Sequence, residues 1–314
     1  MKKISIIVPC YNEEETIIIF YEAIIKVLEN LKYEFEILFI NDGSRDNSLE
    51  LMKQLNYKDL RIQYLDLARN YGKEIAMAAG IGHITGDAMI IMDVDLQDPP
   101  ELISELIKYW EKGFDDIYAQ RISRAGESFF KKFTSKLYYR VLSKISKVPI
   151  QIDTGDYRLI SKKGIDALRE LRESQRYTKG LFSIIGLKKK AILYNRNPRI
   201  AGKTKWNYLK LFGLAMEGIV SFTVLPLKLA TISGIFISTL SFIYMFFIIF
   251  ITMYYGIRTP GYSSLIVIIL FLGGLQLLCL GIMGEYLGRI FYETKKRPLY
   301  FINEYSREKK QNIS

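Results

Sequence analysis

The sequence predicts an α/β protein, with a mostly parallel sheet flanked by helices, followed by a two-helix transmembrane hairpin. Three observations carry that expectation. Residues 1–120 alternate between short apolar runs and stretches whose apolar residues recur at helical spacing. Two long stretches nearer the C-terminus, Leu229–Ile257 and Thr259–Gly284, carry no charged residue. Charge is also segregated: residues 1–100 hold 10 basic and 17 acidic groups, a net −7, whereas residues 101–228 hold 26 basic and 12 acidic, a net +14. The net charge of +11 over 314 residues and the mean hydropathy of +0.08 therefore average over unlike parts. With 49% hydrophobic and 25% charged residues, the chain is neither disordered nor collagen-like, and its length suits two domains or one with an appendage.

Taken in order, Ile4–Val8 reads as a buried strand and Glu15–Leu31 as a helix. Phe35–Ile40 is the next strand and Asn47–Asn56 the next helix. Ile62–Leu67 followed by Lys73–Ile84 repeats the unit, as does Ala88–Met92 followed by a helix from Pro99. Proline suits a first helical turn because its missing N–H would be unpaired there. Asp116–Ala119 is a fifth strand. Such alternation implies right-handed crossovers between parallel strands, with ligands bound beyond the strands' carboxyl ends. Lys2 and Lys3 before Ile4–Val8 do not make a signal peptide, since the apolar run is short and meets Pro9 and an acidic cluster. Cys10 and Cys279 suggest a reducing cytosol and no disulfide framework. His83 has no Cys or His at metal-ligand spacing and reads as structural.

Each uncharged stretch exceeds the roughly 20 apolar residues that a bilayer-crossing helix needs. Two of them, separated by a short turn with Gly256, Arg258, Pro260 and Gly261, argue against a buried soluble helix. Lys203, Lys205, Lys210 and Lys228 precede the hairpin, and Arg289, Lys295, Lys296 and Arg297 follow it, so both ends face the cytoplasm. Trp206–Leu227 mixes aromatic and aliphatic residues with Lys210 and Glu217; it reads as amphipathic segments along the membrane surface, with core packing as the competing explanation. The expected division is 1–205 catalytic, 206–228 interfacial, 229–290 two transmembrane helices and 291–314 a cytoplasmic tail. Gly284-Glu285-Tyr286-Leu287-Gly288 allows close helix approach, either between copies in a homo-oligomer or within the hairpin.

The residues that follow the strands carry the chemistry. Pro9-Cys10-Tyr11-Asn12-Glu13-Glu14 follows the first, Asn41-Asp42-Gly43-Ser44-Arg45-Asp46 the second, and Asp93-Val94-Asp95-Leu96-Gln97-Asp98-Pro99-Pro100 the fourth. Turn chemistry accounts for Gly43, and a helix N-cap for Asp98. Neither accounts for Asp93 and Asp95, which flank one residue directly after an apolar run. Their repulsion and desolvation call for a compensating cation, and hard oxygen ligands suit Mg²⁺ or Mn²⁺ that also receives substrate phosphate. The sequence contains neither a P-loop nor a G-x-G-x-x-G fingerprint.

These motifs, Ser5–Glu14, Asn41–Ser44 and Asp93–Pro100, resemble glycosyltransferase family 2 with its GT-A domain. The resemblance continues through Asn70–Glu74, Arg121–Ser128, Thr154–Leu159, Ala201–Trp206 and Glu285–Tyr300, and so spans nearly the whole chain. It is closest to the bacterial polyprenyl-phosphate (bactoprenol) glucosyltransferases, relatives of dolichyl-phosphate mannose synthase. The resemblance implies that Pro9, Tyr11, Glu13 and Asp42 hold the nucleoside, although packing at a strand end equally explains Tyr11. It implies that Lys73 and Asp93 meet the nucleotide sugar, and that Asp95 and Gln97 ligate a Mg²⁺ or Mn²⁺ ion on the diphosphate. Arg121, Arg124, Arg199, Lys203 and Lys205 become candidates to bind the acceptor phosphate or neutralise the departing nucleotide.

Asp156 occupies the position given the general-base role in the family. A lipid phosphate, with a second pKa of about 6, is largely ionised already, so orienting the acceptor is an equal alternative. The +14 segment generically suggests nucleic acid, but the adjacent hairpin makes anionic lipid the better partner and excludes nucleic acid from the expected reading. Lys188-Lys189-Lys190 reads as a solvated or headgroup-facing loop. The implied activity is inverting transfer of a hexose, glucose from UDP-glucose, to polyprenyl phosphate at the bacterial cytoplasmic membrane. Mannose, N-acetylglucosamine or aminoarabinose donors are the alternatives within the class, and a non-catalytic sugar-nucleotide binder is the alternative outside it.

Overall fold

The computed structural model describes residues 1–122, 154–171, 173, 176, 178–195, 225–255 and 261–307. Arg124, Arg199, Lys203 and Lys205 lie outside the described residues, as do Gly256, Arg258 and Pro260 of the expected turn and residues 206–224 of the expected interfacial stretch.

The first strand, β1 (Lys3–Cys10), leads into α1 (Ile17–Leu28), where Ile17, Phe20, Ile24 and Leu28 recur on one face and are buried. That face shares a core with Ile4, Ile6 and Val8, the alternate residues of β1. Phe20 meets Phe39 edge-on at 5.9 Å between ring centres. Burying one such side chain stabilises the fold by about 1.5–3 kcal/mol, and truncating Phe20 to Ala costs about 3–5 kcal/mol. The pattern repeats through β2 (Glu34–Asn41), α2 (Ser48–Lys58), β3 (Ile62–Leu67), α3 (Lys73–His83) and β4 (Ala88–Ile91). A 3₁₀ turn at Pro100–Leu102 then opens α4 (Ile103–Glu111), followed by β5 (Asp116–Arg121). These elements match the sequence expectation to within a few residues.

Ile7, Leu38 and Ile40 face the opposite side of the sheet and pack with α3 residues such as Ala76 and Met77. Both faces are covered, which is why these strands read as continuous apolar runs rather than as alternating ones.

The chain then adds β6 (Thr154–Ser161), α5 (Lys162–Glu170), α6 (Thr178–Ile184) and β7 (Lys189–Tyr194). One strand, β8 (Ile302–Tyr305), comes from the segment expected to be a tail. The described strands form one sheet in the order β7-β5-β6-β4-β1-β2-β3-β8. β1 pairs in parallel with β2 and β4, β2 with β3, and β5 with β7. β6 runs antiparallel to β4 and β5, and β8 antiparallel to β3. The sheet is therefore mixed, with a parallel centre. The two reversed strands, β6 and β8, begin at the edge where their parallel neighbours end.

A second unit contains α7 (Leu225–Tyr255) and α8 (Tyr262–Thr294). Leu227–Tyr255 and Phe271–Thr294 are long and apolar enough to cross a membrane. At 1.5 Å per residue the two helices run ~46 Å and ~50 Å, beyond the ~30 Å of a bilayer's hydrocarbon core. Large apolar side chains such as Phe236, Phe246, Phe250 and Phe271 are exposed, unlike those of a soluble core helix. The two helices lie side by side, with the Cys279 sulfur 4.0 Å from the Ala230 carbonyl oxygen. Both cysteines are free thiols.

Candidate active site

The carboxyl edge of the sheet gathers the ends of β1, β2 and β4 with the start of β6, because β6 runs antiparallel to β4 with Ile91 opposite Arg158. Reversal brings Thr154-Gly155-Asp156 to the edge that carries Asp93 and Asp95. Arg121 arrives from the end of β5, where Gln120 pairs with Thr154.

The loops after β1 and β2 are laced together. The Asn12 and Glu13 amides donate to the hydroxyls of Ser44 (3.0 Å) and Ser48 (2.9 Å), and the Arg45 amide donates to the Asn12 carboxamide oxygen (2.8 Å). Pro9, Tyr11 and Glu13 are half-buried along this seam. Gly43 sits at φ +65°, and a Cβ there would come within 2.4 Å of the Arg69 carbonyl carbon. Only glycine permits both the turn and the approach. Asp42, 3% exposed, accepts from the Tyr71 amide at 2.7 Å and the Gly72 amide at 2.9 Å. Burial pushes its carboxyl up despite those bonds. Asp42 thus shapes the entry to α3, and the lone pairs those amides leave are what it has for a ligand.

At the centre, Lys73 Nζ lies 2.6 Å from Asp93 Oδ1 and 2.6 Å from Asp156 Oδ2. One ammonium from the first turn of α3 thus joins the β4 loop to the start of β6. Although its side chain is 41% exposed, loss of solvent around the ammonium opposes its charge; the Asp156 and Asp93 carboxylates outweigh this and raise the Lys73 pKa. The neighbouring Glu74 accepts from the Thr178 amide (3.0 Å) and hydroxyl, tying α6 to the site. Burial, then the charge of Asp156, pushes the Glu74 carboxyl up. The Cys10 thiol is likewise raised by burial and then by the charges of Glu13, Asp93 and Asp46.

Lys73 already compensates Asp93, so that carboxylate needs no bound cation. Asp95 is the separate case. It is nearly buried, and one of its oxygens accepts from the Gln97 amide at 3.2 Å around a turn in which Leu96 holds φ +52°. Left-handed backbone at a branched apolar residue costs about 1–2 kcal/mol, and burial of the Leu96 side chain offsets it. No three His, Cys, Asp or Glu side chains among the described residues gather into a metal-holding group. The oxygen donors of Asp95 and Gln97 nevertheless fit a hard divalent cation that takes its remaining ligands from phosphate.

Asp98 is not the helix cap that the sequence suggests. Pro99 is the cap residue of the 3₁₀ turn, and no side chain bonds there. Asp98 instead accepts from the Tyr194 hydroxyl, which also meets Arg121. Arg121 Nε is buried and has no acceptor among the described residues, so one donor at this edge is left without a bond.

Residues 5–169 match the family description "Glycosyl transferase family 2". The chain belongs to glycosyltransferase family 2. It is a glycosyltransferase with a GT-A fold. It is similar to an uncharacterized glycosyltransferase of Synechocystis sp. at 46% identity over 302 residues, covering 96% of this chain and 95% of that one. It is similar at 43% identity over 300 residues to the prophage bactoprenol glucosyl transferase homolog of Escherichia coli K12, covering 96% and 98%. The bactoprenol glucosyl transferase of Shigella phage SfX matches to the same extent.

In this glycosyltransferase the structure brings together Lys73, Asp93 and Asp156, sets Asp95 and Gln97 on one turn, and knits Pro9–Glu13 to Asn41–Ser48. Sequence reading missed Glu74 with Thr178, Tyr194 with Asp98, and a buried pair of Arg158 with Asp116. Glu74 stands in a quoted motif, Asn70–Glu74, and could have been found there. The other contacts join segments whose proximity no local pattern reveals.

Proposed function

We propose that this glycosyltransferase transfers glucose from UDP-glucose to polyprenyl phosphate at the cytoplasmic face of a bacterial membrane, with inversion at the anomeric carbon. The supporting observation is the junction at Lys73. One cation joins Asp93, on the loop assigned to the donor, to Asp156, at the position assigned to the acceptor, in a chain aligned over 96% of its length with relatives named bactoprenol glucosyl transferases.

In this reading Pro9, Tyr11, Glu13 and Asp42 receive the nucleoside, and Asp93 and Lys73 border the sugar. A phosphate oxygen of the acceptor forms the new bond to the anomeric carbon as the bond to the nucleoside diphosphate breaks on the opposite face. The attacking oxygen is already ionised near neutral pH, so Asp156 orients the acceptor and takes any residual proton. Arg121 offers its guanidinium to a phosphate oxygen, and Arg124, Arg199, Lys203 and Lys205 are assigned to the acceptor phosphate by the motifs they stand in. A Mg²⁺ or Mn²⁺ ion on Asp95 and Gln97 would stabilise the negative charge that develops on the departing diphosphate. The domain reading is 1–205 catalytic, joined by β8 from the 291–314 segment, 206–228 interfacial, 229–290 membrane-spanning and 291–314 cytoplasmic, and the basic residues at both ends of the hairpin support that orientation.

The test is a panel of sugar nucleotides, namely UDP-glucose, GDP-mannose, UDP-N-acetylglucosamine and an aminoarabinose donor, with purified full-length protein, Mg²⁺ or Mn²⁺, and undecaprenyl phosphate. Lipid-linked glucose from UDP-glucose is expected. Product from another donor alone would overturn the sugar assignment, and no lipid-linked product from any donor would overturn the acceptor assignment.

A further inference from the structure

The segment that follows α8 supplies the sheet with β8, and its antiparallel course puts the first residues of β8 at the carboxyl end of β3. Leu67 pairs with Ile302 and Asp66 with Glu304, so Asn303 is an extra residue in the ladder, a β-bulge. In a regular strand Asn303 and Glu304 would project to opposite faces. Here both reach side chains on one face of β3: Glu304 accepts from the Tyr64 hydroxyl, and Asn303 Nδ2 donates to Asp66 Oδ2 at 3.2 Å. Re-aiming one side chain is what a bulge accomplishes, and bulges concentrate beside active sites.

Asp66 passes the constraint on. It is 7% exposed, and its other oxygen accepts from Asn41 Nδ2 at 2.7 Å. A carboxylate only accepts, so Asp66 compels Asn41 to present its NH₂ group there and its carbonyl oxygen elsewhere. That oxygen receives the Ser44 amide at 3.2 Å, and the Ser44 hydroxyl receives the Asn12 amide at 3.0 Å. A second arm starts two residues earlier. The Phe301 carbonyl accepts from the Ala68 amide (2.9 Å), and the Phe301 amide donates to the Tyr71 hydroxyl (3.2 Å). The Tyr71 amide is one of the two that hold Asp42.

We infer that Asn303 and Asp66 are positioning residues for the donor nucleoside: the bulged C-terminal strand fixes the Asn41 carboxamide, and with it the turn through Asp42 and Ser44. The inference rests on the proposal that this edge takes a nucleoside diphosphate. Asn303 lies more than 200 residues from the loops it orders, immediately after the apolar helices in sequence, so donor binding requires chain on both sides of the hairpin.

The experiment uses full-length Asn303→Ala, Asp66→Asn and the exchange Asp66→Asn/Asn303→Asp, with calorimetric binding of UDP and GDP, steady-state kinetics and thermal unfolding. Loss of the Asn303 bond is expected to weaken nucleotide binding and raise donor KM about threefold to tenfold, with kcat, acceptor KM and unfolding midpoint nearly unchanged. Asp66→Asn turns an amide NH₂ group against one of two donors and should lose more. In the exchange variant the new amide donates to the carboxylate at 303 while its oxygen still accepts from Asn41, so donor KM should recover. Wild-type nucleotide binding with no change in Asn303→Ala and Asp66→Asn would overturn the inference. So would a parallel fall in every parameter with no recovery in the exchange. No binding of either nucleotide by the wild type would overturn the donor-site reading and this inference with it.

Discussion

Replacing Asp116 by Leu should destabilise the catalytic unit, and replacing Arg158 as well should restore it. Both side chains are 0% exposed, with Arg158 Nη1 3.3 Å from each carboxylate oxygen of Asp116. These contacts are long for charge-assisted bonds, so the attraction is modest while the desolvation of both charges is large. Removing one partner of a buried pair typically costs about 3–5 kcal/mol, whereas replacing both with apolar groups is often neutral. The guanidinium of Arg158 also stacks on Phe182 at 3.8 Å, which retains part of its stabilisation and favours the low end, about 3 kcal/mol. For a unit of this size each kcal/mol moves the midpoint by about 2–4 °C. Asp116→Leu should therefore unfold about 6–12 °C lower, and Asp116→Leu/Arg158→Met within about 4 °C of wild type. Thermal unfolding in detergent, followed by circular dichroism, measures both. Turnover should separate from stability, because Arg158 Nη2 donates to the Gly155 carbonyl at 3.4 Å and so steadies the backbone beside Asp156. The double variant should fold but turn over slowly. If it unfolded as early as the single variant, the pair would not be the source of the loss.

Two further outcomes follow from other charged groups. Lys73→Met removes the cation between Asp93 and Asp156. Its side chain is 41% exposed, so screening limits the stability loss to about 1 kcal/mol. The carboxylates should separate, and turnover should fall about 100-fold; activity within twofold of wild type would contradict the bridging role. Burial alone would raise the Glu36 carboxyl, but bonds from Lys3, Ser5, Thr85 and Arg307 outweigh it and hold the pKa at about 2 against an ordinary 4.5. A depressed carboxyl stabilises the fold above its unfolded pKa, and about 3 kcal/mol should be lost as pH falls from 4.5 towards 2. Glu36→Gln should flatten that acid limb in a pH series of unfolding midpoints, and an unaltered limb would refute the assignment.

The sequence made the parallel centre of the sheet legible because each βαβ unit carries its own periodicity. Ile4–Val8, Phe35–Ile40 and Ile62–Leu67 needed no partner to be recognised, and the acidic loops followed from the rule that sites lie beyond strand ends. β6 and β8 were not legible, since pairing direction depends on neighbours far away in the chain. Reversal of those two strands nevertheless decides the site: it carries Asp156 to Asp93 and Asn303 to Asp66. Asp98 shows the local limit. Asp before Pro-Pro reads as a cap, yet burial beside Tyr194 gave it a tertiary partner instead.

The charge at this edge predicts how donor binding responds to chelation. One ammonium, Lys73, faces both Asp93 and Asp156, while Glu74 is pushed towards its neutral form by burial and by Asp156. Asp95 and Glu13 add further carboxylates to the same edge, and Cys10 is raised by Glu13 and Asp93. A nucleoside diphosphate brings still more negative charge, and repulsion at about 4 Å costs about 4 kcal/mol per pair in a protein-surface environment. Recruiting Lys73 to the diphosphate would not remedy this, because it would strip Asp93 and Asp156 of their counter-ion. A divalent cation held by Asp95 and Gln97, as proposed, would remove the repulsion without disturbing that pairing. EDTA should therefore weaken UDP binding at least 100-fold, with restoration by Mg²⁺ or Mn²⁺, and Asp95→Ala should abolish the restoration while leaving the unfolding midpoint nearly unchanged. Tight UDP binding in EDTA, or full rescue of Asp95→Ala by either ion, would show that the protein's own basic residues neutralise the diphosphate and that Asp95 does not hold the metal.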